Sequence, residues 1–220
     1  MKTSRRHFLK ATGAAATAPL FPAVLTADKA GTKPAIVGEG AHQYECHHGW
    51  GEAPDHIKWQ DTHGVTVDGE GLVYIKHRGG KGGDTIVVFD GQGKFVRSFG
   101  QEYAGGGHGI DLRKEGSDEF LYLSDTKNGV VAKTTLEGKL VWKKKGIPGD
   151  AAMFYGEKGR YSPTNICFAP DGGYYVADGY GSSYIHQFDK KDRWVRSWGG
   201  PGSAAGKMKT PHGIWLDDRP

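Results

Sequence analysis

The sequence predicts an all-β fold, a β-propeller built of four-stranded blades. Three observations predict it: 36 glycines in 220 residues, a repeat of about 50 residues, and four short β-rich segments inside each repeat. Glycine at roughly twice its usual share of about 7% marks a chain with many tight turns. The glycines keep no three-residue period, which excludes a collagen-like chain. No apolar run reaches the roughly 20 residues that a membrane-spanning helix needs.

The repeat rests on two markers. Phe89-Asp90 with Val96-Arg97-Ser98-Phe99-Gly100 returns 99 residues later as Phe188-Asp189 with Val195-Arg196-Ser197-Trp198-Gly199. A degenerate copy, Leu136-Glu137-Gly138-Lys139-Leu140-Val141-Trp142, lies between them, so the unit is about half that offset. The second marker opens each unit. It reads His63-Gly64-Val65-Thr66-Val67-Asp68, then His108-Gly109-Ile110-Asp111-Leu112, and last His212-Gly213-Ile214-Trp215-Leu216-Asp217. Thr164-Asn165-Ile166-Cys167-Phe168 takes the remaining place, so units start at 63, 108, 164 and 212.

Residues 1–27 come first and stand apart. Ser4-Arg5-Arg6-His7-Phe8-Leu9-Lys10, followed by a weakly apolar stretch over 11–27, is a twin-arginine signal with cleavage expected near Ala27. That route carries folded proteins, so a domain loaded with metal before export is permitted. It predicts a periplasmic or extracellular protein. The signal also explains the net charge of +4: Lys2, Arg5, Arg6 and Lys10 supply it, and the other 25 basic residues balance 25 acidic ones. With no basic stripe left, nucleic acid is excluded as a partner.

Residues 28–62 read as a lead-in able to supply a ring-closing outer strand. Residues 63–220 read as the propeller. Strands are expected at 64–67, 72–76, 85–89 and 94–99 in the first blade, because short β-branched and aromatic runs there are bounded by Gly and Asp. The inner strands of all units are expected at 64–67, 109–112, 165–168 and 213–216. This makes three blades and the first strand of a fourth, as in the N-terminal part of a longer six-bladed protein. A compact four-bladed ring is the alternative.

The first strand of each blade lines the central channel, so residues at one register form a ring. His63, His108 and His212 share such a register and are expected to converge at one mouth, where imidazoles suit zinc and similar metals. Cys46-His47-His48 is a poorer candidate, since neighbours on a strand point to opposite faces. Cys46 and Cys167 are too few for a disulfide scaffold and leave one bridge or two free thiols open. The loop His77-Arg78-Gly79-Gly80-Lys81-Gly82-Gly83 offers an anion Arg78 and backbone N–H groups, without phosphate-loop spacing. Lys143-Lys144-Lys145 reads as a solvated outer strand. Tyr180, in Asp178-Gly179-Tyr180-Gly181, projects from a blade connection and alone reads as packing.

These pieces resemble the NHL-repeat propellers and, within them, the peptidyl-α-hydroxyglycine α-amidating lyase family, over about residues 60–220. The likeness is carried in order by His77-Arg78-Gly79, Gly107-His108-Gly109-Ile110, Pro163-Thr164-Asn165 with Val176-Ala177-Asp178-Gly179-Tyr180 and Ser183, and Thr210-Pro211-His212-Gly213. The resemblance implies that Arg78 orients a substrate carboxylate through a bidentate pair, that His108 and His212 hold zinc, and that Tyr180 is the base in C–N cleavage of a hydroxyglycine. It implies zinc as cofactor, structural calcium as a second ion, and a small or peptide-like substrate. His63 stands where the family has no ligand, and Gly181 where the animal enzymes have a disulfide Cys. The family's third ligand His and its adjoining Asp have no counterpart up to Pro220. Two other readings remain. One is an exported, non-catalytic propeller that binds a ligand or protein. The other is a lactonase-like hydrolase, for which Asn165 lacks acidic companions at its register.

Overall fold

The computed structural model describes residues 34–217, so the export signal lies outside the described residues. The described residues divide into two compact units, one ending at Trp50 and the other beginning at Gly51. The described part of the first is a hairpin of β1 (Ala35–Glu39) and β2 (His42–Cys46), paired antiparallel with each other. Cys46 Sγ lies 3.5 Å from His48 Nε2, and His47 lies 3.4 Å from Glu45. Cys46 and Cys167 are both free thiols.

The second unit holds three four-stranded antiparallel sheets in chain order, as the repeat predicts. The first contains β3 (Thr62–Val67), β4 (Val73–His77), β5 (Ile86–Phe89) and β6 (Phe95–Phe99). The second contains β7 (Gly107–Glu115), β8 (Asp118–Asp125), β9 (Val130–Thr135) and β10 (Leu140–Lys145). The third contains β11 (Asn165–Phe168), β12 (Tyr174–Ala177), β13 (Tyr184–Phe188) and β14 (Trp194–Gly199). Each sheet is a plain up-and-down meander, the blade of a β-propeller.

Aspartates close the hairpins. Asp68 Oδ1 accepts the N–H groups of Glu70 and Leu72, Asp90 Oδ1 those of Gln92 and Lys94, and Asp189 Oδ1 those of Lys191 and Arg193. A short carboxylate that caps its own turn is what makes Asp a hairpin residue. The repeated Phe-Asp marker is therefore a turn device, which is why it recurs.

The innermost strands run side by side, β3 against β7 and β7 against β11. The glycines after His63 and His108 permit the approach. A Cβ on Gly64 would lie 2.8 Å from the Ile110 nitrogen, and one on Gly109 would lie 2.4 Å from Asn165 Oδ1 and 2.6 Å from the Thr164 carbonyl oxygen. Between the first two blades Tyr74, Ile86, Val88, Ile110, Leu121 and Leu123 form one core. Tyr122, Val131, Ile166, Tyr174, Val176 and Phe188 form the next. Tyr122 and Leu123 are neighbours in β8 yet belong to different cores, as strand alternation requires.

One expectation is corrected. Residues 213–216 form no strand: a ladder needs a neighbour, and among the described residues none pairs with them. A Cβ on Gly213 would meet no atom within 4 Å, unlike its counterparts at 64 and 109. Just before β3, Ile57 and Ala53 pack on Val87 and Phe89 of the first blade, and Glu52 makes a single bridge to Lys94. The lysine run does form an outermost strand, β10, but its Lys144 is half-buried and donates to the Asp192 carbonyl at 3.0 Å.

Candidate metal centre

His63 on β3, His108 on β7 and His212 in the segment after Pro211 come together, with one donor atom from each lying within 4.8 Å of the others. Among the described residues this is the group of His, Cys, Asp or Glu with metal-binding spacing. Its centre is the pair His108 Nε2 and His212 Nε2, 3.1 Å apart. His108 is only 3% exposed. Its Nδ1 donates to the Thr164 carbonyl oxygen at 2.7 Å, which leaves Nε2 with the lone pair. Burial pushes His108 down to about 4, and the neighbouring imidazoles and Lys76 push the same way. It is a neutral imidazole at neutral pH, as a metal ligand must be.

Tyr180 completes the cluster. Its hydroxyl lies 2.8 Å from His212 Nε2, and its ring stands edge-on to His108 at 5.2 Å. His212 Nε2 thus faces two electron-rich atoms. With a proton it donates to His108; without one it accepts from Tyr180; it cannot do both. A cation among the three atoms would use every lone pair. Two nitrogens about 2.0–2.1 Å from a tetrahedral ion sit about 3.3 Å apart. The observed 3.1 Å is close to that, so these residues fit zinc.

His63 fits less directly. Its ring stacks on His108 at 4.1 Å and 16°, so the nitrogen lone pairs of the two rings lie in nearly parallel planes. Its Nε2 is buried and has no hydrogen-bond partner. Burial first, then the nearby Arg78, lowers its proton affinity.

Arg78 begins the glycine-rich loop after β4. Its guanidinium is half exposed and lies 3.3 Å from Asp61 Oδ2, and its backbone N–H donates to the Asp61 carbonyl. The Asp61 carboxylate shows that Arg78 can hold such a group at the edge of the histidine cluster. Tyr180 and the three histidines, taken from four separate stretches of sequence, are therefore neighbours, and Arg78 lies near enough to His63 to act on its charge.

Some contributors were invisible to sequence reasoning. Asp178 is fully buried beneath the Tyr180 turn, accepting the N–H groups of Ser162 and Ser182 at 2.6 Å and the Tyr155 hydroxyl at 2.8 Å. Tyr155 also meets His186 Nε2 at 2.7 Å, and His186 Nδ1 meets Ser197 Oγ at 2.7 Å. The available signal was positional, since Asp125 likewise stands at the end of the second strand of its blade and accepts from Asn128. Lys76 is also fully buried. Its ammonium lies 5.0 Å over the Tyr103 ring with no hydrogen-bond partner, and burial lowers it to about 7. Cys46, His47 and His48 are not members of the group.

Residues 2–22 match the twin-arginine translocation pathway signal sequence, so the protein is exported by that route to a periplasmic or extracellular location. No helix among the described residues is long and apolar enough to cross a membrane. No curated protein matches the sequence. Among solved structures, the chain is similar to virginiamycin B lyase from Staphylococcus aureus, at 16% identity and a TM-score of 0.44, over 66% of this chain and 43% of that one. It is also similar to a putative exported protein from Bacteroides fragilis, at 11% identity and a TM-score of 0.45, over 66% and 39%. A protein of unknown function from Bacteroides caccae gives 10% identity and a TM-score of 0.38, over 71% and 48%. The chain spans less than half the length of each of these structures.

Proposed function

We propose that this exported propeller is a zinc-dependent carbon–nitrogen lyase acting on an N-acyl-α-hydroxyglycine, releasing an amide and glyoxylate. The observation that carries the reading is the convergence of His108 Nε2, His212 Nε2 and the Tyr180 hydroxyl, 3.1 and 2.8 Å apart. The order of the family-like motifs from Arg78 to His212 supports the choice of chemistry.

His108 and His212 would hold the ion, and the unpartnered Nε2 of His63 is the third nitrogen at hand. Zinc bound there supplies positive charge that favours the phenolate of Tyr180 and polarises a substrate oxygen. Arg78 takes the substrate carboxylate in the place Asp61 now fills, a role its planar fork suits better than lysine. Tyr180 accepts the proton of the substrate hydroxyl. The O–H electron pair becomes the carbonyl bond of glyoxylate, the C–N pair leaves with nitrogen, and nitrogen collects the proton Tyr180 received. Protons and electrons balance without a co-reactant.

The test uses the mature protein and N-benzoyl-α-hydroxyglycine, with glyoxylate release and metal content as readouts. The expected result is a stoichiometric divalent metal and turnover that chelation abolishes and zinc restores. Tyr180→Phe should keep the metal and lose roughly 10²–10⁴ in rate, the usual contribution of a positioned base. Metal without turnover would favour a non-catalytic binding module, and a wild type that binds no metal would end the reading.

A further inference from the structure

We infer that Thr164 is the positioning residue that registers His108, His212 and the Tyr180 turn against one another; the inference rests on the metal-centre reading above. Thr164 occupies the one place in the repeat register where histidine is missing. It is fully buried, and it touches all three elements of the centre.

Toward the second blade, its carbonyl oxygen accepts two hydrogen bonds, from His108 Nδ1 at 2.7 Å and from the Gly109 N–H at 3.0 Å. Toward the fourth inner segment, its hydroxyl lies 3.0 Å from the Pro211 carbonyl oxygen, and it lies 3.2 Å from that of Ala177 in its own blade. The hydroxyl has a single hydrogen. Ala177 already receives the Thr164 N–H at 2.8 Å, so the hydroxyl proton is best used on Pro211. Toward the tyrosine turn, a Cβ on Gly179 would fall 2.7 Å from Thr164 Oγ1 and 2.3 Å from the Pro211 oxygen. Thr164 and Pro211 therefore pack directly on the backbone that presents Tyr180.

The hydroxyl matters because residues 211–217 have no strand ladder to fix them. The preceding Thr210 N–H reaches Ser183 Oγ only at 3.3 Å. His212 is thus set by its neighbour Pro211, and Pro211 by Thr164. A histidine at 164 would bring a fourth imidazole but could not make this short hydroxyl bridge. Groups that orient ligands typically change metal affinity by about 10–100-fold when removed.

The test compares Thr164→Val, which keeps the shape and removes the donor, with Thr164→Ser, which keeps the donor. Zinc affinity is read by chelator competition, tetrahedral geometry by the visible absorption of the cobalt(II) form, and stability by melting the metal-free proteins. Thr164→Val should bind zinc about 10–100-fold more weakly and give an altered cobalt spectrum. Thr164→Ser should stay within about threefold of wild type. Should the valine variant fail to fold, Thr164→Ala against Thr164→Ser isolates the same hydroxyl, since both lack the methyl. Zinc affinity equal with and without the hydroxyl, even with lowered stability, overturns the inference while the metal centre stands. A wild type that binds no zinc overturns both.

Discussion

Replacing Gly109 with alanine tests whether the inner strands approach as closely as the fold requires. Neither Gly109, Gly64 nor Gly213 has a positive φ, so alanine suits each backbone and any effect is one of space. At Gly109 the new methyl would sit 2.4 Å from Asn165 Oδ1, 2.6 Å from the Thr164 oxygen and 3.0 Å from Asn165 Cα, all on the neighbouring blade. The strands must part. Overpacking of this kind costs about 1–3 kcal/mol. Parting also weakens two hydrogen bonds to the Thr164 oxygen, each worth about 1 kcal/mol. The sum is about 2–5 kcal/mol, or a melting point lower by roughly 10 °C at about 2–4 °C per kcal/mol for a domain of this size. Gly64→Ala meets the Ile110 nitrogen and Cγ2 at 2.8 Å without breaking such bonds, so its loss should be smaller, about 1–3 kcal/mol. Gly213→Ala meets nothing within 4 Å and should be neutral or stabilise by about 0.4–1 kcal/mol through the unfolded chain. Thermal melts of the metal-free proteins by circular dichroism give the ranking. If Gly109→Ala and Gly213→Ala melt together, the close approach is not what the His-Gly repeat provides.

Changing Arg5 and Arg6 together to lysine should leave the protein in the cytoplasm, as cell fractionation would report. Gly181→Cys would set its Cβ 2.0 Å from Asp178 Oδ1 and 2.3 Å from the Arg160 carbonyl, so the variant should lose about 3 kcal/mol or more in a melt and lose glyoxylate release with it. His186, buried and held down at about 4, binds its proton more weakly folded than unfolded. Its contribution to stability is full above about pH 6.5 and is lost as pH falls toward 4, so His186→Gln should flatten that part of the denaturant-midpoint profile.

The blades could be read from the sequence because their markers answer to local physics. Asp68, Asp90 and Asp189 cap turns through their own backbone, and that chemistry repeats wherever the hairpin does. The histidine register could be read for the same reason: a strand period of two places equivalent residues on equivalent faces. The strand expected at 213–216 could not be verified that way, since alternation describes a face and a ladder depends on a neighbour. Asp178, Tyr155 and His186 were hidden because their meaning lies in contacts made across separations of 23 and 31 residues. Lys76 was hidden by its own chemistry, lysine being among the residues seldom fully buried.

The His-Gly pair joins the two levels. The glycine lets one inner strand settle on the next, and that contact brings the Thr164 oxygen to both the Gly109 N–H and His108 Nδ1. One carbonyl therefore sets blade spacing and ligand tautomer together. Where the glycine faces open space, at 213, the histidine beside it lacks that support and relies on Thr164 through Pro211. His108 is thus held by the fold and His212 by a side chain. A perturbation that separates the second and third blades should then disturb His108 and His212 alike, whereas loss of the Thr164 hydroxyl should disturb His212 alone.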